Sequence, residues 1–180
     1  MKLLILSDIH GFSGPLEYIL KAFYEENCSM ILFLGDALYH GPRNSIDDGY
    51  NASRTIEILN SLSDKILAVR GNCDSEVDQM VLDYSLLSDY HMVFDGMRKI
   101  FFTHGHIYNR ANMPLLNRGD IFASGHTHIA EIEDVKGVIH FNPGSISLPR
   151  RNTQASYGIY DGTSLMVKSL EGEILKSKVL

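Results

Sequence analysis

The 180-residue chain has only two cysteines, Cys28 and Cys73, and it has no excess of positive charge. Two cysteines are too few for the disulfide framework of a small secreted fold. The formal net charge is −6, so the composition does not favour nucleic acid as a partner. A bound cation could still reverse the field locally and attract a phosphate ester.

Long hydrophobic runs are also missing. No stretch reaches the roughly 18 apolar residues of a transmembrane helix. The apolar run at 3–6 passes straight into Ser7 and Asp8, so it is too short for a signal peptide and has no small-residue cleavage site. These absences predict a cytoplasmic protein without a membrane partner.

The composition is that of a chain that folds around a core. Hydrophobic residues make up 44% of it and charged residues 21%, which excludes a disordered chain. The sequence contains no internal repeat, low-complexity segment or linker. We therefore predict one domain over residues 1–180.

The first half of the chain alternates predicted strands and helices. Apolar runs at 3–6, 30–34 and 66–69 predict buried strands, and apolar stripes at 15–24 and 56–62 predict helices between them. This order is typical of an α/β sheet with parallel strands.

The second half is predicted to be rich in strands. Turn signals separate its short apolar segments at 95–96, 136–137, 161–162 and 171–172. Together the halves predict a two-layered β core with helices packed outside. The long polar stretch at 39–51 is predicted to be a loop, either a lid or specificity element or a solvated excursion.

Five short clusters of Asp, Asn and His follow the predicted strands. They are Asp8-Ile9-His10, Gly35-Asp36, Gly71-Asn72, His104-Gly105-His106 and Gly125-His126-Thr127-His128. Ligands of α/β sheets gather at the carboxyl ends of strands. In extended backbone, residues two apart such as Asp8 and His10 point the same way.

Carboxylate and imidazole together suit manganese, iron, zinc or nickel more than calcium or magnesium. The clusters offer more ligands than one catalytic ion with open positions needs. Two ions bridged by one carboxylate would use them well, and Asp36 is the candidate bridge.

The order of these clusters resembles the calcineurin-like metallophosphoesterase superfamily. The matches are Asp8 with His10, Gly35-Asp36, Gly71-Asn72-Cys73-Asp74, His104-Gly105 and Gly125-His126-Thr127-His128. The short chain and the segment 142–145 resemble its compact branch, the YfcE-type phosphodiesterases. The resemblance covers roughly residues 1–150 and implies a four-layer α/β/β/α sandwich with mixed sheets.

The resemblance also implies two metal sites. One ion would be held by Asp8, His10, Asp36 and His128, and the other by Asp36, Asn72, His104 and His126. His104 is preferred over His106 because the family's ligand precedes the glycine, which leaves His106 for an outer contact or for substrate.

The implied activity is hydrolysis of a small phosphodiester. Two divalent ions would share a water and lower its pKa, so that the resulting hydroxide attacks phosphorus in line. Manganese is the first candidate, with nickel, zinc, iron and magnesium as alternatives. The candidate catalytic residues are Asp36, Asn72, Cys73 and His104.

Cys73 departs from the wider family pattern, in which a histidine often follows the asparagine. A neutral thiol is a poor proton donor for an alkoxide, so this residue favours diesters with good leaving groups. The residue after it, Asp74, is expected either to orient a neighbour or to cap the following helix.

Several assignments remain open on the sequence alone. A phosphomonoesterase or nucleotidase is the alternative activity, and a scaffold like the metallophosphoesterase-fold subunit of the retromer coat is the alternative without catalysis. A homo-oligomer is also open. His40 could contact phosphate or be solvated, whereas His91 and His140 are expected to be structural. Nothing in the sequence selects a phosphate-binding arginine from Arg43, Arg110, Arg150 and Arg151.

Overall fold

Two β-sheets packed face to face position all five clusters. The computed structural model describes residues 1–42, 44–96 and 98–180. Arg43 therefore lies outside the described residues. The strands of the first sheet are Leu3–Leu6 (β1), Met30–Phe33 (β2), Ile66–Ala68 (β3), Ser156–Tyr160 (β9), Ser164–Ser169 (β10) and Ile174–Val179 (β11). Those of the second are Tyr90–Asp95 (β4), Arg98–Thr103 (β5), Ile121–Ser124 (β6), Glu131–Val135 (β7) and Val138–Asn142 (β8).

Both sheets are mixed, and the parallel strands lie at one side of the first sheet and at the centre of the second. The first runs in the order β11-β10-β9-β1-β2-β3, and β1, β2 and β3 are parallel. The second runs β4-β5-β6-β8-β7, and β5, β6 and β8 are parallel. The carboxyl ends of parallel strands lie at one edge of a sheet, so the loops that carry the clusters share an edge.

Helices Ser13–Glu25 (α1) and Ala52–Ser61 (α2) pack on the outer face of the first sheet. Their apolar stripes, represented by Ile19 and Ile58, are almost fully buried there. A short helix, Glu76–Gln79 (α3), follows β3 and begins with a capping box between Ser75 and Asp78. Asp74 is thus not the cap of this helix. Of the two roles expected for Asp74, capping is therefore wrong.

The core between the sheets is formed by alternate residues of the facing strands. Leu3, Ile5 and Leu32 of the first sheet contact Ile100 and Phe102 of the second, and all five are fully buried. Each such side chain contributes about 1.5–3 kcal/mol. This core holds the two sets of strand ends in fixed relation.

The outer face of the second sheet is covered by an irregular segment. Phe101 and Phe122 pack there against Tyr108, Met113 and Leu116 from the stretch between β5 and β6. The predicted α/β fold with two mixed sheets is confirmed, while the fourth layer over this sheet is made of loop.

No helix in the described ranges is long and apolar enough to cross a membrane. The predicted turns at 95–96, 136–137, 161–162 and 171–172 each lie between paired antiparallel strands. The described residues of the stretch at 39–51, which are all of it except 43, are irregular apart from a bridge between Phe12 and Tyr50.

Candidate metal centre

The predicted ligands follow five parallel strands and meet in one cleft. Asp8 and His10 follow β1, Asp36 follows β2, and Asn72 follows β3. His104 follows β5 directly, and His126 and His128 follow β6. The cleft has a volume of about 150 Å³. It is lined by His10, Asp36, Gly41, Pro42, Asn44, Asn72, Cys73, His126, His128 and Arg150.

The backbone is left-handed at five of the cluster residues. Asp8, His10, Asp36, His126 and His128 have φ angles of 57°, 53°, 62°, 66° and 60°. The expectation of extended backbone between Asp8 and His10 is therefore wrong, although their side chains converge. Non-glycine residues adopt this conformation at a cost of order 1–3 kcal/mol, and such strain concentrates at functional sites.

Asp8 has one oxygen that is held by donors and one that is not. Its Oδ2 accepts the hydroxyl of Ser7 at 2.7 Å and the backbone N–H of His126 at 3.0 Å. Its Oδ1 is buried and has no hydrogen-bond partner among the residues that the structure describes. This Oδ1 faces Nε2 of His128 at 3.3 Å and Nε2 of His10 at 3.9 Å. A buried carboxylate oxygen without a donor is costly unless a cation faces it.

Three imidazoles are oriented by backbone carbonyls. Nδ1–H of His10, His104 and His128 donates to the carbonyls of Tyr39, Leu34 and Leu148, each at 2.7 Å. A carbonyl only accepts, so Nδ1 of each ring carries a proton and Nε2 is the ring atom that faces the cleft. This arrangement, with an acceptor outside Nδ1 and with Nε2 turned inward, is typical of metal-binding histidines.

Asp36 lies between two groups of donors. Its Oδ1 accepts the backbone N–H of Cys73 at 2.8 Å. Its Oδ2 lies 3.6 Å from Nε2 of His10 and 3.4 Å from Nε2 of His104. One carboxylate oxygen is therefore shared between the imidazole that faces Asp8 and the imidazole that faces Asn72.

The second group of donors surrounds His104. Its Nε2 lies 3.0 Å from Oδ1 of Asn72 and 3.2 Å from Nδ1 of His126. His106 is near this group, with its ring 5.3 Å from that of His104. The first group of possible ligands is thus Asp8, His10, Asp36 and His128. The second is Asp36, Asn72, His104 and His126, so Asp36 belongs to both.

The charges in the cleft shift the pKa values of its members. Burial of Asp36 works against ionisation, but the hydrogen bond and charge of His104 lower the pKa of Asp36 well below its usual range. Burial of His104 is likewise outweighed by Asp36 and Asp8, which raise the pKa of His104 to about 9. Burial lowers the pKa of His126 and of His128. Asp36 therefore stays ionised and faces imidazoles, a combination of donors that suits a divalent cation.

Cys73 lies at the cleft as a neutral thiol. Burial, together with the charge of Asp36, raises the pKa of Cys73 to about 12. Its sulfur accepts a hydrogen bond from the amide of Asn72 at 3.2 Å. At neutral pH this residue is neither a thiolate nor a useful acid.

Asp74 orients the loops of the cleft, which confirms the other role expected of it. Its carboxylate accepts the backbone N–H groups of Asp36, Ala37 and Gly71 at 2.8, 2.8 and 2.7 Å. Burial raises the pKa of Asp74 to about 6 against these three donors. Asn142 and Ser145 have a similar part: Asn142 donates to the carbonyl of Gly125 at 2.8 Å and Ser145 to that of Asp8 at 2.7 Å.

The structure separates the described candidate arginines. Arg150 lines the cleft. Arg110 is instead paired with Glu131 and Glu133, at 2.6 and 2.8 Å, and Arg151 lines a neighbouring groove.

The remaining histidines lie outside the cleft. The ring of His40 packs against Tyr39 and Tyr50. His91 packs against Phe102 and His140 against Phe122, in agreement with their expected structural role.

Comparison with known proteins agrees with the geometry. Residues 1–164 match the calcineurin-like phosphoesterase superfamily domain. The chain is 41% identical to phosphodiesterase YfcE of Escherichia coli K12 over 179 residues, which covers 99% of this chain and 97% of that protein. It is also 30% identical to a probable metallophosphoesterase, YsnB of Bacillus subtilis, over 88% of this chain and 83% of that one.

A solved structure of the Escherichia coli YfcE phosphoesterase superposes with a TM-score of 0.96 at 40% identity, covering 99% of both chains. The family match and the near-complete coverage at this identity lead to one conclusion. The chain belongs to the calcineurin-like phosphoesterase superfamily and, within it, to the branch of the YfcE-type phosphodiesterases.

Proposed function

We propose that this protein hydrolyses small phosphodiesters with two divalent metal ions held in the cleft. The class of enzyme, a phosphoric diester hydrolase, follows from the family and from the identity to a phosphodiesterase over nearly the whole chain. The two-ion centre, its ligands and the small size of the substrate are our proposal. The observation that carries it is Oδ2 of Asp36, which lies between Nε2 of His10 and Nε2 of His104.

The donor set fits two ions. One set combines Asp8, His10, Asp36 and His128, and within residues 1–42, 44–96 and 98–180 no donor reaches the buried Oδ1 of Asp8. The other combines Asp36, Asn72, His104 and His126. When bound, such ions supply a nucleophile at neutral pH and neutralise charge on the phosphoryl oxygens. Manganese is our first choice, because carboxylate, amide and imidazole ligands suit it.

The protein's own residues orient the proposed metal ligands and determine which substrates are favoured. The carbonyls of Tyr39, Leu34 and Leu148 fix the imidazoles, so little reorganisation is needed when an ion binds. Arg150 at the rim can pair with a phosphoryl oxygen. The neutral thiol of Cys73 offers no proton to a poor leaving group, which favours diesters whose leaving oxygen is already a weak base.

Metal analysis with a substrate screen tests this function. Purified protein is stripped with a chelator and reloaded separately with manganese, nickel, zinc or magnesium, and turnover of nitrophenyl phosphodiesters and monoesters is then compared. We expect about two ions per chain and faster turnover of diesters. Monoester turnover above diester turnover would favour the nucleotidase, and protein that binds no metal and turns over no ester would favour the scaffold.

A further inference from the structure

A second, larger groove opens beside the metal cleft. It has a volume of about 600 Å³, against about 150 Å³ for the cleft. Thr127, Ile129, Ile132, Arg151 and Lys176 line it, and Arg150 lines both cavities. We call this cavity the side groove. Its volume lies within the range of about 300–1,000 Å³ typical of small-molecule sites.

The side groove lies where the two sheets meet. Glu131 and Ile132 come from β7, the last strand of the second sheet, and Lys176 comes from β11, the last strand of the first. Thr127 lies between the candidate ligands His126 and His128. A molecule bound in the side groove would therefore adjoin the phosphoryl position in the cleft.

Arg150 is held in place by its backbone. Its N–H donates to the carbonyl of His128 at 3.2 Å, and its own carbonyl accepts the hydroxyl of Thr153 at 2.8 Å. His128 in turn donates to the carbonyl of Leu148. The segment at 148–151 is thus tied to a candidate ligand at two points, which fixes the backbone of Arg150 at the junction of the two cavities.

The cations of the side groove are not committed to other groups. Among residues 1–42, 44–96 and 98–180, none of the ion pairs joins a carboxylate to Arg150, Arg151 or Lys176. The two acids of the groove, Glu131 and Glu133, already share the guanidinium of Arg110. The groove therefore presents positive charge that an anionic ligand can use.

From these observations we infer a substrate class, which rests on the function proposed above. The substrate is a phosphodiester. One of its two substituents leaves on hydrolysis, and the other stays on phosphorus and ends in a second anionic group, a phosphate or a carboxylate. Arg150 contacts the phosphoryl group in the cleft, while Arg151 and Lys176 contact the second anion in the side groove. Ile129 and Ile132 pack against the carbon chain between the two anions.

The test compares diesters that share a nitrophenyl leaving group. One series carries a plain alkyl substituent, from propyl to hexyl, and the other carries the same chain with a terminal phosphate. With metal-loaded enzyme at low salt, we expect kcat/KM to be about fivefold or more higher for the best phosphate-terminated diester. The difference should lie mainly in KM and should shrink in high salt.

Variants assign the preference to the groove. In an Arg151→Gln/Lys176→Gln double variant, the ratio of kcat/KM between the two series should fall to about one. Arg150→Gln should lower kcat/KM about tenfold or more for both series, since the phosphoryl group is common to them, and Arg150→Lys should restore part of the loss. The control is Arg118→Gln, which removes one positive charge before the opposite end of β6 and should keep the preference.

The outcomes separate this inference from the proposed function. If the alkyl diesters are turned over and a terminal phosphate gives no preference, the proposed role of the side groove is refuted and the proposed phosphodiesterase activity stands. A preference that survives in a folded double variant would also overturn it, because the second anion would then bind elsewhere, for example at the metals. Absence of turnover in both series would overturn the proposed function and the groove with it.

Discussion

The backbone N–H of Asp36 donates to the carboxylate of Asp74 at 2.8 Å, although the two residues are 38 positions apart. The same carboxylate accepts the N–H groups of Ala37 and Gly71. One buried side chain thus fixes the loop after β2 against the loop after β3. The candidate bridge of the metal centre depends on this contact for its position.

Asp74→Asn should weaken both the fold and the metal centre. The amide group would face backbone donors, so at least one buried N–H would lose its acceptor, and we expect a loss of about 1–3 kcal/mol in the free energy of unfolding. Metal affinity should fall roughly 10- to 100-fold, as for other outer contacts of ligands. Denaturant unfolding and metal titration measure the two effects.

Asp78→Asn is the matched control for this variant. Asp78 caps α3 through Ser75 and does not contact the cleft. It should cost about 1 kcal/mol of stability and leave metal affinity unchanged. An equal loss of affinity in both variants would show that Asp74 has no specific part in the centre.

Asp36→Asn should abolish turnover. The shared oxygen would lose its charge or be replaced by an amide nitrogen, so two cations could no longer be bridged. The drop in kcat should exceed the roughly 10- to 100-fold effect of an outer contact, and the bound metal should fall below two ions per chain by elemental analysis. Near-normal turnover in a metal-replete Asp36→Asn variant would refute the bridge.

Gly71→Ala tests how closely the backbone of two loops must approach. A Cβ at this position would stand 2.0 Å from Oδ1 and 2.4 Å from the backbone nitrogen of Asp36, and neither can yield without moving the bridge. We expect lower thermal stability and loss of metal binding. Gly14→Ala is the control: its Cβ meets open space within α1, so it should stabilise the fold by up to about 1 kcal/mol.

Cys73→His should change the tolerance for leaving groups. The thiol, with its pKa raised to about 12, does not protonate an alkoxide, whereas an imidazolium can. We expect the variant to gain about tenfold or more on alkyl diesters relative to nitrophenyl diesters, within the range of general acid catalysis. The ratio of the two kcat/KM values measures this, and an unchanged ratio in a metal-replete variant would argue against a proton donor at this position.

Glu26→Gln should alter the pH dependence of stability. Partial burial raises the pKa of Glu26, but the ammonium groups of Lys168 and Lys2 outweigh it and leave the pKa below its usual value of 4.5. The resulting stabilisation is therefore present above that value and lost as pH falls through the lowered pKa. At neutral pH the variant should lose about 1 kcal/mol or less.

Urea unfolding of wild type and Glu26→Gln from pH about 3 to 7 checks this. The difference between the two proteins should be constant above the usual glutamate pKa and vanish towards the acid end. A difference that grows on acidification would mean that the ion pairs at the end of α1 do not stabilise the fold.

Much of the fold could be predicted from the sequence, because its signals are local. The apolar run at 3–6 and the turns at 95–96 and 136–137 coincide with observed elements, since buried strands and tight turns select residue types over short stretches. The family, the fold class and the class of enzyme are confirmed. The single domain and the cytoplasmic location stay predictions, and the homo-oligomer stays an open alternative.

The rest depended on contacts between distant parts of the chain. Nothing near Asp8 in sequence shows that His126 would donate to its carboxylate, and nothing near Arg150 distinguishes it from Arg151 as the residue at the cleft. Burial and backbone geometry were needed for both. The motif order indicated which residues carry the chemistry, but not how the backbone would present them.

The left-handed backbone at five candidate ligands lowers the stability of the fold at the positions that the proposed function needs. Aspartate and histidine are not the residues that such φ angles favour most, since glycine adopts them without strain. The fold would therefore be easier to form if glycine stood at these positions, and the metal centre proposed for them gives that strain a purpose. A search for stabilised variants that ignores activity should then converge on these loops first, and it would yield a more stable protein that lacks the proposed metal ligands.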